Sequence, residues 1–114
     1  MDGRIQLPVI TYLHKHFQAE FVDSITEPGP NGILAAQQPQ SKIESILGRL
    51  DISVNNHQSV GIAIVGHHEC AGNPTPKADQ IGHIKQAVAF IRKNYEKLEV
   101  IGLWVNENRE VEAV

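Results

Sequence analysis

The segment Ile62–Pro74, IAIVGHHECAGNP, is an apolar run that ends at Gly66 and is followed by a histidine and the only cysteine of the chain. An apolar run without polar alternation predicts a strand buried on both faces, which is typical of a parallel sheet. Parallel α/β sheets collect ligands and catalytic groups where their strands end at the carboxyl side. His67 and Cys70 therefore stand where such a fold carries its chemistry.

The elements around this strand follow from apolar spacing and from prolines and glycines. The pattern predicts helices over Pro8–Gln18, Ile33–Ala36 and Ser41–Leu50, and a fourth that Thr75-Pro76 opens and whose apolar stripe runs from Ile81 to Leu98. It predicts strands over Glu20–Thr26, Ser59–Val65, Glu99–Val105 and Glu110–Val114. Asp51–Gln58 is polar and predicts a loop, and no strand precedes the first helix. This order predicts an α/β fold with a mostly parallel sheet flanked by helices and an antiparallel C-terminal edge.

Length and composition narrow the classes of function. A chain of 114 residues predicts a single domain over residues 1–114. The net charge of −3 gives no basic surface, so we expect no nucleic-acid partner. No apolar stretch has the length of a membrane span, and the first residues lack the pattern of a signal peptide. The single cysteine fits a reducing compartment, and we expect a cytoplasmic protein.

His67 and Cys70 are candidate zinc ligands, because imidazole and thiolate are common ligands of that ion. The alternatives are a buried inert thiol at Cys70 and a hydrogen-bonding role within the loop for His67. A nucleophilic Cys70 is a weaker hypothesis, since no orienting acid is identifiable. His68 and Glu69 are predicted to point outward. The other histidines are predicted at the surface or in a polar loop: His14, His16, His57 and His83.

Two motifs together resemble the β-class carbonic anhydrases. Gly66–Gly72 is similar to the Gly-His-x-x-Cys-Gly segment of that family. Met1–Arg4 is similar to its Cys-x-Asp-x-Arg motif, taken from the residue after the cysteine. The strand Val100–Val105 is similar to a late strand of the family, so the resemblance extends over nearly the whole chain.

The resemblance implies a fold, a metal and a reaction. In the family, two cysteines and one histidine hold Zn²⁺ beside an aspartate–arginine pair. His67 and Cys70 would thus be metal ligands, Asp2 would accept a hydrogen bond from zinc-bound water, and Arg4 would orient Asp2. The implied activity is the reversible hydration of carbon dioxide to bicarbonate by a zinc lyase. The family also implies a homodimer, with active sites near the interface.

The chain departs from the pattern of the family at its start. The first zinc cysteine of the family would immediately precede Met1, and the strand that leads into it would be missing from the sheet. Ala71 also replaces a family glycine. We expect a truncated or mis-started carbonic anhydrase. The alternative is a non-catalytic relative that serves as a binding or assembly module without metal. A replacement zinc ligand would be the N-terminal amine, His68, Glu69 or a residue of a second chain.

Overall fold

Four helices and three strands form the fold of the computed structural model, which describes all residues 1–114. In chain order they are α1 (Gly3–Phe17), α2 (Pro30–Ala36), α3 (Gln40–Asn56), β1 (Gly61–His67), α4 (Lys77–Asn94), β2 (Glu99–Val105) and β3 (Val111–Ala113). β1 pairs parallel to β2, and β3 pairs antiparallel to the other edge of β2. The predicted α/β class and the antiparallel C-terminal edge are therefore confirmed. No helix is long and apolar enough to cross a membrane.

The core lies where α4 crosses the β1–β2 pair. The buried face of α4 repeats at helical spacing, through Ile84, Ala87, Val88 and Ile91. Its closest approach to the sheet is at Gly102, where a Cβ atom would lie only 2.5 Å from Cγ2 of Ile84. Close packing of α4 therefore depends on the missing side chain in β2.

The segment Glu20–Thr26 is not a strand, so that prediction is wrong. Its backbone forms no hydrogen bond to any other backbone group. This segment and β1 both line one cavity of about 1070 Å³. The apolar residues of the segment predicted a strand, but no strand of this chain pairs with it.

β1 is hydrogen-bonded along one edge only. The N–H of His68 donates to the carbonyl of Val105 at 3.0 Å, so this position faces β2. Successive residues of a strand direct their N–H and C=O groups to opposite edges. The groups of Gly61, Ala63 and Val65 therefore face the open edge of the sheet, and all three residues line the cavity. A strand residue occupies a rise of about 3.3 Å, a spacing of about 4.8 Å between strands and about 10 Å between packed layers. By this measure the cavity has about the volume of six or seven strand residues.

Several helix ends differ from their predicted bounds, and α2 begins at Pro30 instead of Ile33. α1 begins at Gly3, because the carboxylate of Asp2 caps the helix by accepting the N–H of Arg4 at 2.9 Å. α3 runs to Asn56 through the predicted loop Asp51–Gln58, and α4 ends at Asn94 instead of Leu98.

The extra turns of α3 have a specific cause in Ser53. This residue continues the buried stripe of Ile43, Ile46 and Leu50 at helical spacing. Its hydroxyl donates to Oδ2 of Asp23 at 2.6 Å and lies 2.7 Å from Oγ of Ser59. A polar side chain can occupy a core position when its hydrogen bonds are satisfied.

Side-chain contacts hold the segment Glu20–Thr26 and the adjoining Glu27 to α3 and the residue that follows it. Oδ2 of Asp23 also lies 2.6 Å from Nδ1 of His57, and Glu27 forms an ion pair with Arg49. The backbone of Glu20–Thr26 forms no hydrogen bonds to other backbone groups, so these side-chain contacts anchor this part of the cavity lining.

The anchor at Asp23 predicts an acid-sensitive contribution to stability. Hydrogen bonds from Ser53 and then His57 lower the pKa of Asp23 below its ordinary value of 3.8. A carboxyl with a lowered folded-state pKa stabilises the fold above its unfolded pKa, and this contribution is lost as pH falls through the folded pKa. We expect Asp23→Asn to be less stable than wild type at neutral pH and to lose less stability below about pH 4. Urea unfolding across this range measures both, and equal pH slopes for the two proteins would contradict the assignment.

Candidate metal site

His67 and Cys70 lie at the carboxyl end of β1 and both line the cavity. Their side chains are buried, whereas His68 and Glu69 between them are exposed and lie outside the cavity lining. The backbone of Glu69 is left-handed, with φ at 54°, and it turns the chain so that Cys70 comes back to the cavity. The turn thus presents an imidazole and a thiol to the same space.

The imidazole of His67 is held by its own loop. Nδ1 lies 2.8 Å from the backbone carbonyl oxygen of His68. A carbonyl accepts only, so Nδ1 carries the proton and donates. Nε2 then holds the free lone pair, which is the form in which a neutral imidazole binds a metal ion.

Asp2 and Arg4 form a forked ion pair at the start of α1. Nε of Arg4 lies 3.1 Å from each carboxylate oxygen of Asp2, and Nη2 lies 2.6 Å from Oδ2. The side-chain hydrogen bond from Arg4 is the main cause that lowers the pKa of Asp2 well below its usual range. The hydrogen bond from the backbone N–H of Arg4 lowers this pKa further, and His67 would act in the same direction when its imidazole is protonated. Asp2 is therefore held as a carboxylate within electrostatic range of His67.

The ion pair is joined to the His67–Cys70 turn. Nη1 of Arg4 lies 3.8 Å from Oε2 of Glu69, which connects the beginning of α1 to the turn. Asp2 lines the same cavity as His67 and Cys70. Asp2, His67 and Cys70 therefore line one cavity, and Arg4 is tied to it through its ion pair with Asp2.

Comparison with known proteins identifies the family. The profile of a family described as "Putative carbonic anhydrase" matches residues 1–114. The chain belongs to this carbonic anhydrase family. The resemblance seen in the sequence is thereby confirmed for the whole chain. No curated protein and no solved structure matches it.

The donor set in this member of the carbonic anhydrase family has two residues. No group of three or more His, Cys, Asp or Glu side chains is arranged to hold a metal ion. Zinc sites with an open position use three protein ligands. One imidazole and one thiol suit zinc by type, but their number is one short. His68 and Glu69 do not complete the set, because they face each other outside the cavity, with Nε2 and Oε1 3.5 Å apart.

Three buried amide side chains next to the site were not recognised in the sequence: Asn31, Asn73 and Gln80. Asn31 and Asn73 lie in stretches where glycine and proline mask any periodicity. A signal did exist for Gln80, which stands four residues before Ile84 and so continues the buried stripe of α4 by one turn. His83 was predicted exposed, but it is half-buried, and Nδ1 lies 2.9 Å from Nδ2 of Asn73.

Proposed function

We propose that the chain catalyses the reversible hydration of carbon dioxide to bicarbonate with a zinc ion held in part by His67 and Cys70. The observation that carries the proposal is that Asp2, paired with Arg4, lines the same cavity as both donor residues. The whole-chain match to a carbonic anhydrase family supports it. The proposal includes a sheet of the β-carbonic anhydrase type, whose additional strand would occupy the space beside β1.

Each of the four residues has a distinct task in this proposal. Nε2 of His67 and the thiolate of Cys70 would hold zinc, which supplies a bound water of lowered pKa when present. Asp2 is an anion that only accepts hydrogen bonds, so it would orient a water molecule through one of its protons. Arg4 fixes the carboxylate through a bidentate contact and keeps it ionised. Hydrophobic residues form 20 of the 38 that line the cavity, which suits an apolar substrate such as carbon dioxide.

The proposal requires a third donor from outside this pair. A homodimer would supply it from a second chain, and an additional chain segment beside β1 would supply it from the open edge. Zinc held by the pair alone would bind weakly, because structural and catalytic sites normally offer three or four ligands. We also propose a cytoplasmic location, since a reducing compartment keeps an unpaired thiol reduced and so available to zinc.

Hydration of carbon dioxide by the zinc-loaded chain tests the function. We expect stopped-flow measurements to show activity above buffer, and Asp2→Asn to lower it by about 10²-fold, within the range for positioned acid–base groups. Asp79→Asn is the matched control, because Asp79 is an exposed carboxylate on α4. Equal rates for wild type and Asp2→Asn would contradict the role of Asp2, and a rate equal to buffer would contradict the function.

The two-donor set favours one second candidate, a non-catalytic relative of the enzymes. Such a protein would use the fold as a binding or assembly module. It would be folded and would hold less than about a tenth of an equivalent of zinc after expression in zinc-supplemented medium. A metal content near one per chain would exclude this candidate.

A further inference from the structure

Three buried amide side chains from separate parts of the chain form one hydrogen-bonded network. Nδ2 of Asn31 in α2 donates to Oε1 of Gln80 in α4 at 3.2 Å. Nδ2 of Asn73, in the loop after Cys70, donates to Oδ1 of Asn31 at 3.4 Å. Asn31, Gln80 and Asn73 are 0%, 1% and 7% exposed, so they are shielded from bulk solvent.

The network ends on the two residues that face the cavity. Nε2 of Gln80 donates to the backbone carbonyl of His67 at 3.0 Å. The backbone N–H of Asn73 donates to the carbonyl of Cys70 at 3.2 Å. His67 lies on the edge of β1 that has no neighbouring strand, so Gln80 takes the place that a ladder hydrogen bond would have. The side chain of Gln80 thus fixes the carbonyl of His67, and the backbone of Asn73, whose side chain belongs to the network, fixes the carbonyl of Cys70.

The remaining bonds of the network stiffen the loop itself. Oδ1 of Asn73 accepts the hydroxyl of Thr75 at 3.1 Å, and the carbonyl of Asn73 accepts the N–H of Thr75 at 2.8 Å. Oδ1 of Asn31 accepts the N–H of Gly32 at 3.0 Å. The amides are satisfied on both their donor and acceptor sides. Removing one member would leave buried partners unpaired, which is costly in a low-dielectric interior.

We propose that Asn31, Asn73 and Gln80 are positioning residues that hold the His67–Cys70 turn in one conformation, ready to bind metal. A merely structural role would stabilise the whole fold equally. The network instead connects to the turn at two carbonyls and anchors it to α2 and α4, so its loss would loosen the turn before the core. The part of this inference that concerns zinc rests on the proposed function.

The variant Gln80→Met tests the proposal, because methionine keeps the length of the side chain and removes both polar atoms. Amide exchange of the metal-free protein, followed by NMR, reads the turn through the N–H groups of His68 and Asn73. We expect both to exchange at least about tenfold faster, and zinc affinity to fall by about 10- to 100-fold, as for other groups that orient ligands. Gln86→Met is the matched control on the exposed face of α4.

A second control separates positioning from general stability. Ile91→Val removes one methylene from the core of the same helix. It is compared with Gln80→Met at temperatures that leave each variant an equal margin below its melting temperature. The proposal requires that the N–H groups of His68 and Asn73 exchange faster than in wild type in Gln80→Met but not in Ile91→Val. Equal exchange in the two variants, or exchange unchanged from wild type, would overturn it. If wild type binds no zinc, the proposed function fails while the exchange result still decides the role of the network.

Discussion

Replacing Cys70 by serine is expected to lower the zinc affinity of the chain by more than about 100-fold, because groups that merely orient ligands already contribute about 10- to 100-fold. A serine hydroxyl is a poor zinc ligand at neutral pH, and the variant would retain only His67 from the proposed pair. Competition with a chromophoric chelator measures the affinity. The thiol is buried, and serine is nearly the same size, so the fold should tolerate the change.

The neighbouring residues His68 and Glu69 provide the control for the expected loss of zinc affinity. His68→Ala and Glu69→Ala remove potential ligands that lie outside the cavity lining, and we expect less than about a threefold change for either, as for residues that neither bind nor orient the metal. Zinc affinity that survives in Cys70→Ser but is lost in His68→Ala would place the metal on the outer side of the turn. Such a result would contradict the site proposed at the cavity.

Gly72→Ala is expected to destabilise the fold by about 1–3 kcal/mol, the usual cost of overpacking. A Cβ at this position would lie 2.3 Å from the carbonyl carbon of Pro28 and 2.5 Å from the backbone nitrogen of Gly29. Backbone atoms cannot move aside as a flexible side chain can, so the loop after Cys70 and the Pro28–Gly29 segment must separate. At about 4 °C per kcal/mol for a chain of this size, the melting temperature should fall by about 4–12 °C.

The matched control for Gly72→Ala is Gly48→Ala. Gly48 lies inside α3, and a Cβ there would meet no atom within 4 Å. Alanine in a helix interior is more stable than glycine by about 0.5–1 kcal/mol, so this variant should melt at a higher temperature than wild type. A Gly72→Ala protein that melts at or above the wild-type temperature would show that the two backbone segments are not in contact.

The sequence predicted the elements whose apolar pattern is satisfied within the chain. The strand into His67 and the stripe of α4 bury their apolar faces against each other, so their periodicity is informative. Glu20–Thr26 has the same kind of pattern but no neighbour to pair with. An apolar pattern is a local property of the sequence. A strand also requires a partner that lies far away in the sequence.

The candidate site was predictable to a similar extent. The spacing of His67, Cys70, Asp2 and Arg4 resembles a family pattern, and their roles stay a prediction. Three of them line one cavity, and Arg4 pairs with Asp2 beside it. The buried amides were not found: only Gln80 continues an apolar stripe, whereas Asn31 and Asn73 look in sequence like exposed polar residues. Its role depends on partners brought together from α2, α4 and the loop by tertiary folding.

The central claim is that His67 and Cys70 bind one zinc ion together at the carboxyl end of β1. X-ray absorption at the zinc edge, on the zinc-loaded chain, tests it most directly because sulfur and imidazole scatter differently. The account predicts a coordination shell with sulfur at about 2.3 Å and imidazole nitrogen at about 2.0–2.1 Å, with the sulfur lost in Cys70→Ser and the imidazole signal reduced in His67→Ala. A shell made of oxygen and nitrogen alone in the wild-type protein would contradict it.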